Sequence, residues 1–245
     1  MQERLIDDDP ILGQFIANYP INRLRLLIPA GAVLLVVWFM TTIALWQVEP
    51  ALAATITVAV IFVAVLIVGW FVLHLWNREI ILYEKGFTYR EGSNIAYIRF
   101  QEIVSIHQRG QVVSYFGGLL KRSTYQFTIH TQSDETITLN TLYNRLDNLT
   151  LRLEQAIMPY LLERAKKQLE SGEPIHFHTQ LSMDANGLYS ESHQLSWENF
   201  GGYEIKQGKL HLKNTQEDVW LSISLHEIIN IRVLLAHLEE RMPNR

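Results

Sequence analysis

The apolar stretch Leu26–Trp46 reads LLIPAGAVLLVVWFMTTIALW, and a second stretch, Ala51–Trp76, reads ALAATITVAVIFVAVLIVGWFVLHLW. The first holds 21 residues and the second 26, and neither contains Asp, Glu, Lys or Arg. A helix needs about 20 apolar residues to cross the ~30 Å hydrocarbon core of a bilayer. Each stretch is therefore long enough to span. The short connection between them predicts a transmembrane helical hairpin over 25–77, with spans at 26–46 and 51–76.

The cations around the two spans predict the orientation of this hairpin. Arg23 and Arg25 precede the first span, Arg78 follows the second, and the connection Gln47–Pro50 holds no cation. The positive-inside rule then places both termini in the cytoplasm of a multi-pass protein of the cell membrane. Charged residues inside spans usually mark ion or proton pathways, and these spans have none, which favours an anchor over a pore.

Composition excludes several classes of function. Residues 78–245 carry 18 Lys and Arg against 20 Asp and Glu, so the basic excess of a nonspecific nucleic-acid binder is missing. The chain has no cysteine, which excludes disulfides, thiolate catalysis and cysteine zinc sites. It also lacks the G-x-S-x-G, G-x-x-x-x-G-K-[ST] and G-x-G-x-x-G patterns. We therefore expect a protein without enzymatic activity, cofactor or metal.

The N-terminal tail, 1–24, holds one local signal. Asp9-Pro10 is typical of a helix N-cap followed by proline at the first helical position. Helical spacing would place Ile11, Leu12, Phe15 and Ile16 on one face before Pro20. The tail is interpreted either as a short amphipathic helix on the inner leaflet or as a connector packed on the domains.

Strand patterns begin after Arg78. Short runs rich in Ile, Tyr and Phe, separated by turn residues, predict strands at Glu79–Glu84, Phe87–Arg90, Ala96–Phe100, Glu102–Gln108, Tyr125–Thr131 and Thr136–Asn140. Apolar residues at helical spacing then predict a helix: Leu142, Leu146, Leu149, Leu153 and Ile157. Pro159 is expected to break or restart it.

The same order of signals then recurs. Leu195–Phe200 lines up with Ile98–Ile103, Asn186-Gly187 with Lys85-Gly86, and Asn230-Ile231 with Asn148-Leu149. A repeat of this kind indicates that the soluble region consists of two similar units rather than one domain. The prediction is an α+β chain with two small antiparallel-sheet domains behind the hairpin, each closed by a C-terminal helix. Their limits are 78–158 and 173–245, with a helical linker at 159–172.

A curved sheet closed by a C-terminal helix resembles a pleckstrin-homology-like (PH-like) domain. The layout also resembles a family of uncharacterised bacterial membrane proteins known as a domain of unknown function. The residues that carry this resemblance are Gly86-Phe87-x-x-Arg90, Phe100-x-x-Ile103, Gly172-Glu173-Pro174 with Phe177, Gly187-Leu188, Leu195-x-Trp197, Gly208-x-Leu210 and Ile228-x-Asn230. They are turn glycines, core aromatics and helix starts, so the resemblance implies no catalytic residues.

The segment Arg109–Ser123 is the most unusual part of the soluble region, and the second repeat has no equivalent. Its apolar residues surround Gly117-Gly118 and are flanked by cations, as contact with an anionic leaflet would require. The alternative is a long hairpin packed against the sister domain or a second subunit. The candidate contact residues are Arg109, Val112, Val113, Tyr115, Phe116, Leu119, Leu120, Lys121 and Arg122.

Two further features have ordinary structural interpretations. His176 and His178 share one face of a strand, but two ligands do not make a metal site, and we expect exposed histidines on an edge strand. Trp197 and Trp220 are interpreted as packing residues.

The resulting expectation is a membrane-anchored, non-enzymatic interaction or regulatory module on the cytoplasmic face. Its partners would be the bilayer, anionic lipid headgroups, and a membrane-protein partner or further copies of the chain, without nucleic acid. The alternative is an accessory subunit of a membrane transport or envelope-maintenance complex.

Overall fold

The computed structural model describes residues 8–115, 120–191 and 193–242, with the backbone alone described within 111–124. The chain is α+β: two apolar N-terminal helices are followed by small antiparallel sheets and a C-terminal helix. It divides into two compact units. Unit 1 comprises 1–98 with 142–146, and unit 2 comprises 99–141 with 147–245. The predicted division at 159–172 into two PH-like domains stays a prediction.

Unit 1 combines the apolar helices with a four-stranded sheet. Its elements are β1 (Phe15–Pro20), α1 (Arg23–Ala44), α2 (Pro50–Trp76), β2 (Glu79–Tyr83), β3 (Gly86–Glu91) and β4 (Asn94–Arg99, whose last residue lies in unit 2). The sheet order is β1-β2-β3-β4, antiparallel at β1–β2 and β2–β3. Ile80 and Phe87 are fully buried, as expected for the inward positions of strands with one solvated face.

Helices α1 and α2 begin and end within three residues of the predicted spans. Asn22 caps α1, its Oδ1 accepting from the Leu24 N–H at 3.1 Å, and the Glu49 carboxylate caps α2 at Leu52 N–H, 3.0 Å away. Both helices are long and apolar enough to cross a membrane. Only 6% and 0% of their most apolar windows are buried, unlike the core helix of a soluble domain.

The predicted amphipathic helix of the tail is wrong. Asp9 does cap a turn, since its Oδ1 accepts from Ile11 N–H (2.8 Å) and Leu12 N–H (2.9 Å). The turn closes at Gly13, whose φ of +88° ends any helix, and the chain continues as β1. The physical reason is the free edge of β2: pairing Phe15–Pro20 with Glu79–Tyr83 satisfies backbone groups that a tail helix would leave open.

The β1–β2 pair closes the base of the helical hairpin. Pro20 pairs with Glu79, and the Ile21 N–H donates to Arg78 O at 3.3 Å. The Asn22 N–H donates to Leu142 O at 2.6 Å. The start of α1 and the end of α2 are therefore held side by side by backbone hydrogen bonds.

The described residues of unit 2 form three small sheets and two α-helices. Its strands are β5 (Ile103–Tyr115), β6 (Leu120–Thr131), β7 (Thr136–Asn140), β8 (Ile175–His178), β9 (Leu181–Met183), β10 (Gly187–Ser190), β11 (His193–Ser196), β12 (Phe200–Lys206), β13 (Lys209–Asn214) and β14 (Val219–Ser224). The sheets run β5-β6-β7, β11-β10-β9-β8 and β12-β13-β14. The helices are α3 (Leu146–Glu170, whose first residue lies in unit 1) and α4 (Ile231–Arg241).

Helix α3 runs through Pro159 without a break, contrary to the expected break or restart. Proline removes one helical hydrogen bond and normally kinks a helix, so packing must hold this one together. Leu153, Ile157 and Leu161 are 0–3% exposed at helical spacing on both sides of the proline. The predicted linker at 159–172 is thus the second half of one helix and its terminal turn.

The internal repeat is present in the backbone. Short 3₁₀ turns at Phe100–Glu102 and Trp197–Asn199 each lead into a bulged strand, with register shifts at Ile103/Ser105 and Phe200/Gly202. This agrees with the predicted match of Leu195–Phe200 to Ile98–Ile103. The helix alignment was wrong by three residues: the left-handed residue before each helix is Arg145 (φ 52°) in one copy and Asn230 (φ 51°) in the other.

Helix α4 carries a largely buried histidine, from which we expect the stability of unit 2 to depend on pH. The His237 side chain is 15% exposed, and burial lowers the pKa of its imidazole below the ordinary 6.5, against an opposing contribution from Glu240 at 3.7 Å. As the pH falls, the His237 imidazole therefore takes up its proton at a higher pH in the unfolded chain than in the folded chain. We expect thermal stability to fall as the pH drops below about 6.5, and His237→Gln to reduce that slope.

The measurement is the melting temperature of the full chain between pH 7.5 and 5.5. His176→Gln is the matched control, because His176 is exposed. An equal slope in the His237 variant and the unaltered chain would contradict the prediction.

Candidate functional site

A polar pocket of about 250 Å³ lies in unit 1, where the chain enters α1 and leaves α2. Its walls come from the end of β1, the first residue of α1, the last residue of α2, the α2–β2 connection, the first residue of β2, and β3. The side chains with chemistry to offer are Arg23, Trp76, Asn77, Arg78, Glu79 and Arg90. The pocket is therefore framed by the same backbone pairing that closes the helical hairpin.

Three guanidinium groups meet in this pocket. Arg90 Nη1 donates to Glu79 Oε1 at 2.9 Å, and Arg78 forms an ion pair with Glu91. Within the described residues, Arg23 forms no ion pair. Three arginines against these two glutamates leave a net charge of +1, which makes the pocket electropositive.

Arg23 is held by an aromatic ring. Its Cζ lies 4.8 Å from the centroid of the Trp76 ring, a cation–π contact between the first turn of α1 and the last residue of α2. Stacking leaves the edge of the planar guanidinium free to donate hydrogen bonds. Arginine presents those donors as a rigid fork that matches a carboxylate or a phosphate.

Two N–H donors of the pocket arginines lack acceptors. Arg78 Nε and Arg90 Nε are buried, and no described residue accepts a hydrogen bond from either. Burial raises the pKa of the neighbouring Tyr89 and Tyr143, so both hydroxyls stay neutral beside Arg78. The remaining guanidinium nitrogens of both arginines belong to side chains that are 21% and 28% exposed and line the pocket.

The candidate contact residues of the sequence lie on one hairpin of unit 2. Arg109, Val112, Val113 and Tyr115 are on β5, Leu120, Lys121 and Arg122 are on β6, and Phe116 and Leu119 lie outside the described residues. Strand β7 pairs with β6 at Gln126–His130 alone. From Gly110–Tyr125 to Tyr115–Leu120, β5 and β6 therefore continue as a ribbon without a third strand from their own sheet.

The corresponding hairpin of the second repeat is short. Strands β12 and β13 pair up to Lys206–Lys209 and turn at Gln207 (φ 53°) and Gly208 (φ 74°). This two-residue turn is the tightest common hairpin connection. The long ribbon is therefore peculiar to the first repeat, as predicted, whereas its role as a contact surface stays a prediction.

A second cavity, of about 530 Å³, lies within unit 2 and gathers histidines from distant parts of the chain. Ile229 forms an isolated antiparallel β-bridge with His107 of β5, and the Ile229 N–H donates to Phe177 O of β8 at 2.8 Å. The chain around Ile229 therefore runs between β5 and β8. The charged and titratable residues around it are His107, Arg109, His176, His178, His226 and Glu227.

Two of these histidines have assigned hydrogen bonds. His107 Nε2 donates to His226 O at 2.6 Å, and His178 Nδ1 accepts from the Gln180 N–H at 3.1 Å. As predicted, His176 and His178 lie on an edge strand, β8, and His176 is exposed, whereas His178 is half-buried. Among the residues that the structure describes, no group of three or more His, Cys, Asp or Glu is arranged to hold a metal ion.

The sequence patterns indicated only some of the residues in the arginine-lined pocket and in the histidine cavity. Arg23 and Arg78 stood out as cations flanking the spans, whereas Arg90 was seen only as part of a turn motif. His107 and His226 carried no signal at all, because they join His176 and His178 only when residues 228–230 run between β5 and β8.

The fold and the pocket define a class of protein in which a pair of long apolar helices is attached to small antiparallel sheets, with an arginine-lined pocket at the base of the pair. The chain belongs to a family of unknown function, DUF6585, whose family model matches residues 1–245. No curated protein matches the chain.

Proposed function

We propose that this protein is a membrane-anchored, non-enzymatic interaction module that contacts anionic lipids on the cytoplasmic face of the membrane. The observation that carries the proposal is the exposure of α1 and α2. Leu35, Phe62 and Trp70 are 65%, 63% and 72% exposed. Apolar area of this size is stable only when lipid or a partner covers it.

Charge asymmetry supports the orientation. Arg23, Arg25 and Arg78 lie at the end of the hairpin that continues into β1 and β2, and the connection at the other end holds no cation. An anionic inner leaflet attracts juxtamembrane cations by about 1 kcal/mol each. The soluble part then faces the cytoplasm, where the small sheets would act as PH-like modules.

The β5–β6 ribbon is the proposed second contact with the membrane. A two-stranded hairpin is marginally stable alone in water, so a ribbon that extends past its sheet benefits from a partner surface. Val113 pairs with Arg122, and Tyr115 pairs with Leu120, which places apolar and cationic residues together towards the tip. Because the chain is already anchored, weak contact with headgroups would suffice.

Because the chain has no cysteine, a single introduced cysteine can be labelled selectively to test the contact between the ribbon and the membrane. Leu120→Cys introduces a single labelling site, and Gln207→Cys is the matched control at the turn of the equivalent hairpin in the second repeat. Full-length protein carrying an environment-sensitive dye is reconstituted into vesicles of phosphatidylcholine with or without phosphatidylserine. We expect a blue-shifted emission at position 120 with phosphatidylserine and none at position 207.

Equal emission at the two positions would refute the membrane contact of the ribbon. Extraction of the full chain from membranes by alkaline carbonate would refute the anchor itself. Purification with a stoichiometric membrane protein would instead favour the alternative of an accessory subunit in a transport or envelope-maintenance complex.

A further inference from the structure

We propose that the arginine pocket of unit 1 is a binding site for the phosphate group of an anionic membrane lipid. This inference rests on the proposed anchoring of α1 and α2, and adds to it a ligand class and the residues that bind it. Arg23, Arg78 and Arg90 would donate to the phosphate oxygens. Trp76 would hold Arg23 in place.

The location of the pocket fits the depth of a lipid phosphate. Arg23 is the first residue of α1 and Trp76 the last residue of α2, so the pocket marks the end of the apolar segment of both helices. Tryptophan prefers this interfacial level of a bilayer. Leu24 and Leu73, 66% and 69% exposed, lie close in sequence to the pocket residues and offer apolar surface for acyl chains.

The size of the pocket selects a headgroup rather than a whole lipid. Small-molecule sites usually enclose 300–1,000 Å³, and a pocket of about 250 Å³ suits a phosphate with a few attached atoms. The hydrocarbon chains would lie outside it, along the exposed helices. Free phosphate shares the same chemistry but lacks these chains, so it would bind more weakly.

The arginines of the pocket keep part of their guanidinium groups open to a ligand. Arg78 and Arg90 each form an ion pair with one glutamate, yet the Nε of each stays buried without an acceptor among the described residues. Their side chains are 21% and 28% exposed, so water reaches them only in part. A phosphate has several acceptor oxygens and would accept hydrogen bonds from the exposed parts of these two guanidinium groups and from the unpaired fork of Arg23.

Charge also favours an anion over a zwitterion. The two glutamates neutralise two of the three guanidinium groups, which leaves one positive charge for the ligand. Phosphatidic acid and phosphatidylserine carry net negative charge, whereas phosphatidylcholine brings a quaternary ammonium that the remaining arginine would repel. Binding should accordingly weaken with rising salt, since the pocket opens to solvent.

The experiment measures lipid binding by full-length protein in a neutral detergent. Phosphatidic acid, phosphatidylcholine and inorganic phosphate are titrated separately, with native mass spectrometry for the lipids and a thermal-shift readout for all three. Arg23→Gln is the main variant because Arg23 forms no ion pair within the described residues, so its removal leaves no carboxylate unpaired. Arg152→Gln, an exposed arginine on α3, is the matched control.

We expect the unaltered chain to prefer phosphatidic acid over phosphatidylcholine and inorganic phosphate. Arg23→Gln should weaken phosphatidic acid binding about tenfold, in line with the loss of a charge-assisted hydrogen bond. Arg23→Lys keeps the positive charge but lacks the planar guanidinium, so its affinity for phosphatidic acid should lie between those of the unaltered chain and Arg23→Gln. Arg152→Gln should bind as the unaltered chain does.

Equal phosphatidic acid binding by the Arg23 and Arg152 variants would overturn the site. Protection by inorganic phosphate at the same concentration as the lipid would overturn the lipid as the source of the phosphate. A chain that resists carbonate extraction yet shows no preference for phosphatidic acid refutes this inference alone. A chain released by carbonate refutes the proposed anchoring as well.

Discussion

Replacing Gly201 with alanine is expected to destabilise unit 2 by about 3 kcal/mol, one of the two largest effects of single substitutions that we anticipate in this protein. A Cβ at this position would lie 2.0 Å from Asn214 O and 2.9 Å from Thr215 N. Both atoms belong to the backbone, so no side-chain rotation relieves the clash. Gly201 lies in the bulge of β12, where the strand and β13 shift register.

The melting temperature of the full-length protein in detergent should then fall by roughly 6–12 °C. Gly110→Ala is the control: a Cβ there meets nothing within 4 Å, and the glycine lacks a positive φ. That variant should stay within about 0.5 kcal/mol of the unaltered chain. A similar small change in both variants would mean that the bulge relaxes at little cost.

Replacing Asn230 with alanine is the second such change, with an expected loss of about 2–3 kcal/mol. The Asn230 Oδ1 accepts from the Ile106 N–H at 2.8 Å, and its Nδ2 donates to Val104 O at 3.3 Å. Its own N–H donates to Ile106 O at 2.9 Å. The residue also adopts the left-handed conformation, which asparagine tolerates and alanine resists.

Asn230→Gly separates these two contributions. Glycine loses the side-chain hydrogen bonds but adopts the left-handed conformation freely, so it should be about 1 kcal/mol less destabilising than alanine. Hydrogen exchange at the Ile106 amide should accelerate in both variants, because its acceptor is gone. Unchanged exchange there would show that this bond contributes nothing to the stability of β5.

The contrast between these positions shows what the sequence could predict. Local patterns sufficed to predict the apolar helices, whose bounds differ from the predicted spans by three residues at most. A long run of uncharged apolar residues is identified as a span from its length and composition alone, without knowledge of distant contacts. They also sufficed for the match between Trp197 and Phe100, since the 3₁₀ turn and bulge that follow each residue are local features.

Long-range pairing was beyond the same patterns. The predicted tail helix included Phe15 and Ile16, because the strand partner of this segment, Glu79–Tyr83, lies across the whole apolar hairpin. Asn230 was identified as a helix start, yet its side chain hydrogen-bonds β5, 124 residues away, and forms no cap bond with α4. The arginine pocket likewise depends on the β2–β3 register, which brings Arg90 opposite Glu79.

The two apolar helices are inserted between two paired strands, β1 and β2. Pro20 and Glu79 are register partners on neighbouring strands of one sheet, and the chain between them consists mainly of α1 and α2. The helices are thus an insertion within a β-hairpin rather than a leader that precedes a finished domain. A tilt or rotation of either helix would be transmitted first to the β1–β2 register, so this sheet is mechanically coupled to whatever surrounds the helices.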